Sequence, residues 1–315
     1  MSRNVQERSA TSDLPVYVTL CAVSMVWGGT FVAGRLLADS LSPIFAASLR
    51  FLLASVALLG MLWLARVPLA RPTCRQWLQL ALLGFCGIFV YNLCFFYGLR
   101  YINASRASLI VALNPAVIAL ASWLVFKERL GRAKIIGIVT CIVGAGTVIV
   151  SRNPQLLAAT TQAWIGDLLI FGCVLGWGMY SLCSRGLNQS LGPVQTVTWS
   201  ILLGTVMLWL LAAWRGELSW VALRELGTPQ WLSLLYLGVL GSALAYIGYY
   251  DGLRKIGATR SGVFIALNPL TAVILAALLL GERLTLAMCL GGVLILTGIY
   301  LCNKPFAPVA KKRIL

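Results

Sequence analysis

The chain has 315 residues, 60% hydrophobic and only 11% charged, with 25 basic side chains against nine acidic and no histidine. Charged residues make up about a quarter of a soluble domain, so a soluble globular fold is excluded. The missing His removes Ser-His-Asp and Cys-His nucleophile pairs, His metal sites and His proton relays. The net charge of +16 does not point to nucleic acid. The basic residues sit in short segments between apolar runs, which is the pattern of a topology signal and of attraction to anionic headgroups.

From the N-terminus, residues 1–14 are polar and of mixed charge, and read as a cytoplasmic tail. The apolar run after them has no small-residue cleavage site and reads as a retained helix. Hydropathy predicts ten spans near 16–38, 44–65, 77–97, 103–126, 132–150, 163–184, 194–214, 231–251, 258–280 and 285–302. Each is long enough to cross a hydrocarbon core as a helix. Pro43, Pro68, Pro72, Pro154, Pro193 and Pro229 fall in or beside the connections, as helix punctuation does. A basic tail over 303–315 ends the chain. The nine cysteines show neither metal-ligand spacing nor a disulfide framework, and read as small buried apolar residues. Neither a metal nor a cofactor is expected.

One segment occurs twice. Residues 98–130 and 252–284 align without a gap at an offset of 154. Gly98-Leu99-Arg100 recurs as Gly252-Leu253-Arg254, Ala112-Leu113-Asn114-Pro115 as Ala266-Leu267-Asn268-Pro269, and Glu128-Arg129-Leu130 as Glu282-Arg283-Leu284. Trp27-Gly28, Arg35 and Pro43 recur as Trp177-Gly178, Arg185 and Pro193 at an offset of 150; Gln76-Trp77 recurs as Gln230-Trp231 at 154. Spans one to five therefore match spans six to ten, with repeats at 15–152 and 153–302. Five is odd, so the second copy crosses the membrane in the opposite sense. The expected fold is an all-α membrane protein of ten transmembrane helices, a 5+5 inverted-topology repeat around a central cavity, with substrate near the midplane between the repeats. With the N-terminus in the cytoplasm, 17 of the 25 Lys and Arg fall on the inner side and 8 on the outer. That asymmetry predicts both termini inside.

The ten-span inverted repeat, the Trp-Gly pairs and the Ala-Leu-Asn-Pro…Glu-Arg-Leu segments resemble the drug/metabolite transporter superfamily, over about residues 15–302. The most similar type is the EamA-type permeases, bacterial exporters of amino acids and other small metabolites, and within them the aromatic amino acid exporter subgroup. The resemblance implies a secondary transporter of the bacterial cytoplasmic membrane, exporting small metabolites such as aromatic or other large neutral amino acids by alternating access. Exporters of organic cations or drugs and lipid-linked sugar flippases of the same superfamily are the alternatives. The partners implied are a small-molecule substrate and membrane lipid, with no nucleic acid. The oligomeric state is open, a monomer being plausible.

Several residues are candidates for the site. Pro115 and Pro269 lie mid-span, and each frees the carbonyl four residues back, Val111 and Ile265. Asn114 and Asn268 are the natural partners for those carbonyls. The pair reads either as hinges of broken helices at a substrate site or as static kinks. Trp27 and Thr30 on span one, Tyr91 and Asn92 on span three, and Trp177, Tyr180 and Ser181 on span six are further candidates. So are Thr196, Trp199 and Ser200 on span seven, and Ser242, Tyr246 and Tyr249 on span eight. They read either as the lining of an aromatic cavity or as packing between helices. Trp77 and Trp231, near span ends, fit an interfacial belt.

Charge within the spans is scarce. Arg50 matches the geometry of a substrate carboxylate, but lies close enough to the outer face to snorkel, the more ordinary outcome. Asp167 fits a helix dipole. No carboxylate lies at mid-span, so no proton-coupling site is evident and facilitated transport or exchange is favoured. The Glu128-Arg129 and Glu282-Arg283 pairs read as turn-closing ion pairs or as a gate latch. Gly137, Cys141 and Gly144, with Gly291 and Gly298, make small faces for close helix packing. A remote alternative is an intramembrane aspartyl protease. Gly166-Asp167 and Tyr250-Asp251 faintly resemble its motifs, in reversed order and with Trp164 in place of a glycine. That reading requires the two carboxylates to meet at one depth.

Overall fold

The structure, a computed structural model, describes residues 2–38, 40–102, 104–127, 131–152, 163–271 and 285–303. Among the described residues it is helical almost throughout and has no strand. In chain order the helices are α1 (Ser2–Ala38), α2 (Pro43–Leu64), α3 (Cys74–Tyr101), α4 (Ala104–Val111), α5 (Asn114–Phe126) and α6 (Arg132–Arg152). They continue as α7 (Ala163–Ser190), α8 (Pro193–Trp214), α9 (Trp220–Arg224), α10 (Thr228–Ile256), α11 (Ala258–Gly262) and α12 (Leu286–Asn303). Nine segments among the described residues are long and apolar enough to cross a membrane, with α4 and α5 jointly forming the fourth. The ninth expected span begins as α11, a 3-10 turn at Val263–Ala266 and a helical stretch at 267–271. Residues 128–130, 272–284 and 304–315 lie outside the described residues, and with them both Glu-Arg pairs and the C-terminal tail.

Local chemistry sets the helix starts. Ser42 caps α2, its Oγ accepting from Phe45 N at 3.2 Å, with Pro43 in the first turn. Thr73 and Gln76 form a capping box on α3. Gly192, at φ 81°, turns the chain into α8 ahead of Pro193. The helices α3, α7 and α10 extend beyond the hydropathy-predicted spans by a turn or more at one or both ends. Their ends are polar, and capping and neighbouring helices carry the helix past the apolar stretch that hydropathy detects.

The halves are related by a two-fold axis, visible where equivalent residues meet each other. Ser55 and Thr205, offset by 150, hydrogen-bond at 3.0 Å. Trp27 and Trp177 meet edge to face at 5.1 Å between ring centroids. Cys141 Sγ donates to the carbonyl of its equivalent, Ile295, at 3.4 Å. Off the axis the contacts come in pairs: Gln76 Nε2 donates to Ser190 Oγ at 3.2 Å, and Gln230 Nε2 to Ser40 Oγ at 3.4 Å. The first helix of each half packs on the third of the other, α1 on α10 and α7 on α3, so the repeats are intertwined. α6 and α12 form a separate pair in which Gly137 faces Gly298 and Gly144 faces Gly291, backbone against backbone.

Both third helices of the repeats carry a π-helical stretch, Gly84–Val90 in α3 and Tyr236–Leu244 in α10. The extra residue per turn rotates the remainder of the helix relative to an unbroken α-helix. The rotation turns Asn92 and Ser242 inward, toward the same side chain of α2.

Candidate functional site

That side chain is Arg50. It is 4% exposed, so it does not snorkel, contrary to the ordinary expectation from its place in the sequence. Two turns into α2, it points into the bundle, away from the end of the span. Arg50 Nε donates to Ser242 Oγ at 2.9 Å and Nη1 to Asn92 Oδ1 at 3.1 Å. Both acceptors are held from behind: Asn92 Nδ2 donates to Ile88 O and Ser242 Oγ to Leu237 O, each at 2.8 Å. The guanidinium carbon lies 5.2 Å from the Phe51 ring centre and 6.0 Å from that of Phe95. Among the described residues no carboxylate pairs with it. A guanidinium held by two neutral oxygens and ring faces remains a buried net charge.

Arg50 opens onto a cavity at the centre of the bundle, lined also by Trp27, Thr30, Phe31, Tyr91, Phe95, Val111, Asn114, Trp177, Tyr246, Ile265 and Asn268. The rings interlock. Trp177 meets Tyr246 edge-on at 5.2 Å, Trp27 meets Tyr246 at 6.2 Å, and Tyr91 lies 5.9 Å from Trp177. Trp27 is fixed by its Nε1, which donates to Gly241 O at 3.0 Å. The free space is about 30 Å³, room for one or two water molecules at roughly 15 Å³ each. The rings must part before anything of metabolite size can enter.

The two Asn-Pro breaks reach this cavity from opposite halves and differ in how they are satisfied. The neighbours on one side of the Asn268 amide, Ile265 O and Ser24 O, are both acceptors, which sets its orientation: with the nitrogen turned toward them it donates to Ile265 O, the carbonyl freed by Pro269, at 3.2 Å, and to Ser24 O at 3.0 Å. Ser24 Oγ donates to Phe264 O at 2.8 Å. In the other copy Asn114 is 2% exposed and its Oδ1 has no partner among the described residues. This difference predicts opposite outcomes for the same substitution. Asn268→Ala strands Ile265 O and costs about 2 kcal/mol. Asn114→Ala removes an unpaired acceptor and leaves stability unchanged. Thermal unfolding of the two variants in detergent checks this.

Other predicted residues sit elsewhere. Asn92 and Ser242 are one layer out, holding Arg50. Tyr180 packs behind Trp177 at 5.4 Å and shares a 2.7 Å hydrogen bond with Ser200. Trp199 is away from the cavity. It packs edge-on against Trp77 at 4.7 Å and donates from Nε1 to Ala70 O at 3.2 Å, so it anchors the α2–α3 connection. Phe31 and Phe95 were missed from the sequence. Each lies four residues after a recognised lining residue, Trp27 and Tyr91, and so on the same helix face. Asp167 pairs with Arg106 and Asp251 with Lys255, each at 2.6 Å. α7 and α10 cross in the same direction, which puts Asp167 at the start of one and Asp251 near the end of the other, on opposite sides of the bundle. The two carboxylates form no aspartyl dyad.

The EamA-like transporter family model matches the chain twice, over residues 14–150 and 164–304. The chain belongs to the EamA-like transporter family. Among curated relatives of this family member, the uncharacterized transporter YetK of Bacillus subtilis is 26% identical, over 91% of this chain and 86% of its own. Protein PagO of Salmonella typhimurium is 23% identical, over 91% and 92%. A probable terminal-alkyne amino-acid exporter of Streptantibioticus cattleyicolor is 26% identical, over 89% and 90%. A solved crystal structure, 20% identical, superposes with a TM-score of 0.73 over 92% of this chain and 97% of its own, showing that the fold is shared. The chain is thus an integral membrane transporter, with a small molecule as its cargo.

Proposed function

We propose that this transporter exports amino acids, aromatic or other large neutral ones, across the bacterial cytoplasmic membrane by alternating access, with both termini in the cytoplasm. The observation that carries this reading is the buried Arg50 guanidinium, paired with no carboxylate among the described residues and facing an aromatic cavity. It is suited to a carboxylate, which would neutralise it through charge-assisted hydrogen bonds. Asn114 Oδ1, buried and unpaired, is suited to accept from the ammonium group. The faces of Trp27, Trp177 and Tyr246 suit both that cation and an apolar side chain. Pro115 and Pro269 serve as hinges. The exporter name carried by the Streptantibioticus cattleyicolor relative supports the substrate class, and the excess of Lys and Arg on one side supports the orientation. A buried positive charge opposes the alternative of an organic-cation exporter. The aromatic lining and small free volume of the cavity suit an amino acid better than the bulky headgroup of a lipid-linked sugar, the cargo of a flippase.

The test is counterflow in proteoliposomes loaded with L-phenylalanine, using labelled L-phenylalanine, 3-phenylpropionate and phenethylamine outside. A charged hydrogen bond of about 1.5–3 kcal/mol predicts phenylalanine faster than phenethylamine by roughly ten-fold or more. Exchange of the amine as fast as the amino acid overturns the role of Arg50. No exchange of phenylalanine or of any other amino acid overturns the substrate class.

A further inference from the structure

The two repeats end in matched polar clusters at opposite ends of the bundle. Arg106, near the start of α4, forms a two-pronged ion pair with Asp167 in the first turns of α7: Nε to Oδ1 at 2.7 Å and Nη2 to Oδ2 at 2.6 Å. Its equivalent in the second copy, offset by 154, is Arg260 in α11. Arg260 Nη2 donates to Asp13 Oδ2 at 3.3 Å and to the Tyr17 hydroxyl, and its Nε donates to Asn303 Oδ1 at 3.0 Å. Tyr17 and Asp167 are themselves equivalent, offset by 150. Each repeat therefore joins the arginine that opens its fourth span to the first turns of the first span of the other repeat. Because the repeats are inverted, one junction lies where α7 begins and the other where the membrane-spanning part of α1 begins, at Asp13.

The segments carrying these arginines are short and separately hinged. α4 ends at Val111, three residues before Asn114 of the Asn114-Pro115 break. α11 ends at Gly262 and passes through a 3-10 turn to the Asn268-Pro269 break; Gly257, whose φ is 86°, precedes its first residue. Each arginine is eight residues from its Asn, about 12 Å along a helix, with the cavity lying between the two junctions. Tyr17 also stacks on Phe264 of the 3-10 turn, ring centres 5.8 Å apart, which fastens that piece to α1.

We propose that Arg106–Asp167 and Arg260–Asp13–Tyr17 are two gates, one for each face of the membrane. Each is released by swinging a half-helix, α4 or α11, about its Asn-Pro hinge. Both are closed in this structure, in keeping with a cavity of about 30 Å³. The proposal rests on the reading of the chain as an alternating-access transporter. It adds which contacts must break for each opening, and why the two openings are mechanically alike: the same segment performs both, once in each repeat. Opening one gate leaves the other intact, because the two share no residue.

The experiment needs no transported substrate, so a failed amino-acid panel leaves it standing. A cavity cysteine, Thr30→Cys, is labelled with a membrane-impermeant thiol reagent in right-side-out and in inside-out vesicles, and the labelling of the parent with Thr30 is subtracted. Asp167→Asn is expected to raise labelling about five-fold from the side where α7 begins, and not from the other. Asp13→Asn with Tyr17→Phe is expected to do the same from the opposite side only. Asp167→Glu, which keeps the charge, stays near the starting level. If Asp167→Asn does not fold, Arg106→Lys keeps the charge but loses the fork, and gives the same one-sided rise at smaller amplitude. Labelling that stays unchanged in folded variants, or rises equally from both sides, overturns the proposal and leaves only structural ion pairs.

Discussion

Arg50→Met is expected to fold with undiminished thermal stability and to lose phenylalanine counterflow by roughly 30-fold or more. The two halves of this prediction test different things. A buried charge without a counter-ion carries a desolvation cost that its neutral partners only partly offset, so replacing it by an apolar side chain of similar length is neutral or stabilising. Asn92 Oδ1 loses its donor, a cost of about 1–3 kcal/mol that removal of the buried guanidinium offsets, while Asn92 Nδ2 still donates to Ile88 O and Ser242 Oγ to Leu237 O. A charged hydrogen bond to a substrate carboxylate, by contrast, contributes on the order of 2 kcal/mol, which is about 30-fold. A variant that is stable but inactive marks Arg50 as a residue kept for binding. A marked fall in unfolding temperature would make it a structural residue, and retained counterflow would remove it from the site. Thermal unfolding in detergent and initial counterflow rates are the two measurements.

Gly144→Val is expected to cost about 3 kcal/mol and to abolish recovery of monodisperse protein, whereas Gly146→Ala on the same helix is tolerated. At Gly144 an added Cβ would lie 2.7 Å from Gly291 O and 2.8 Å from Ile295 N. Both are backbone atoms of α12, so no side chain can turn aside, and the two helices must separate along their length. Overpacking of this kind costs about 1–3 kcal/mol even where side chains can adjust. At Gly146 the nearest neighbour is Leu109 Cδ1 at 3.9 Å, an ordinary contact, and Ala is the better helix former by up to about 1 kcal/mol. Yield and the size-exclusion profile of the two variants decide it. Equal recovery would show that the α6–α12 pair is not what its backbone contacts indicate.

Much of the fold was legible because bilayer physics and duplication both leave long-range marks in a chain. Nine of the ten expected spans appear as membrane-length helices among the described residues, and the ninth begins where it was expected. The glycine faces were readable because small residues at helical spacing have few other uses between membrane helices. The cavity was legible in part. Mid-span aromatics such as Trp27, Trp177 and Tyr246 stood out from belt residues by depth. Trp199 did not separate from them, because depth in a span does not say which way a side chain faces. Arg50 was misjudged for the same reason, and the π-helical stretches that turn Asn92 and Ser242 toward it have no simple sequence signature. Nor does the sequence distinguish the two Asn-Pro breaks, since the same four residues, Ala-Leu-Asn-Pro, form each. Ser24, on a different helix, makes them unequal.

The sequence by itself determined the environment, the helix count to within one incompletely described span, the duplication and its inversion, and the positions of the two breaks. These follow from local hydropathy, from residue types that cannot continue a helix, and from self-similarity, all of which act along the chain. Only the tertiary structure decided that Arg50 faces inward and that the aromatic rings close over it. It alone joined the arginine of each repeat to the opening turns of the other. Those contacts link residues between 42 and 247 positions apart. They depend on helix rotation and on which helices are neighbours, and neither is encoded in any one segment.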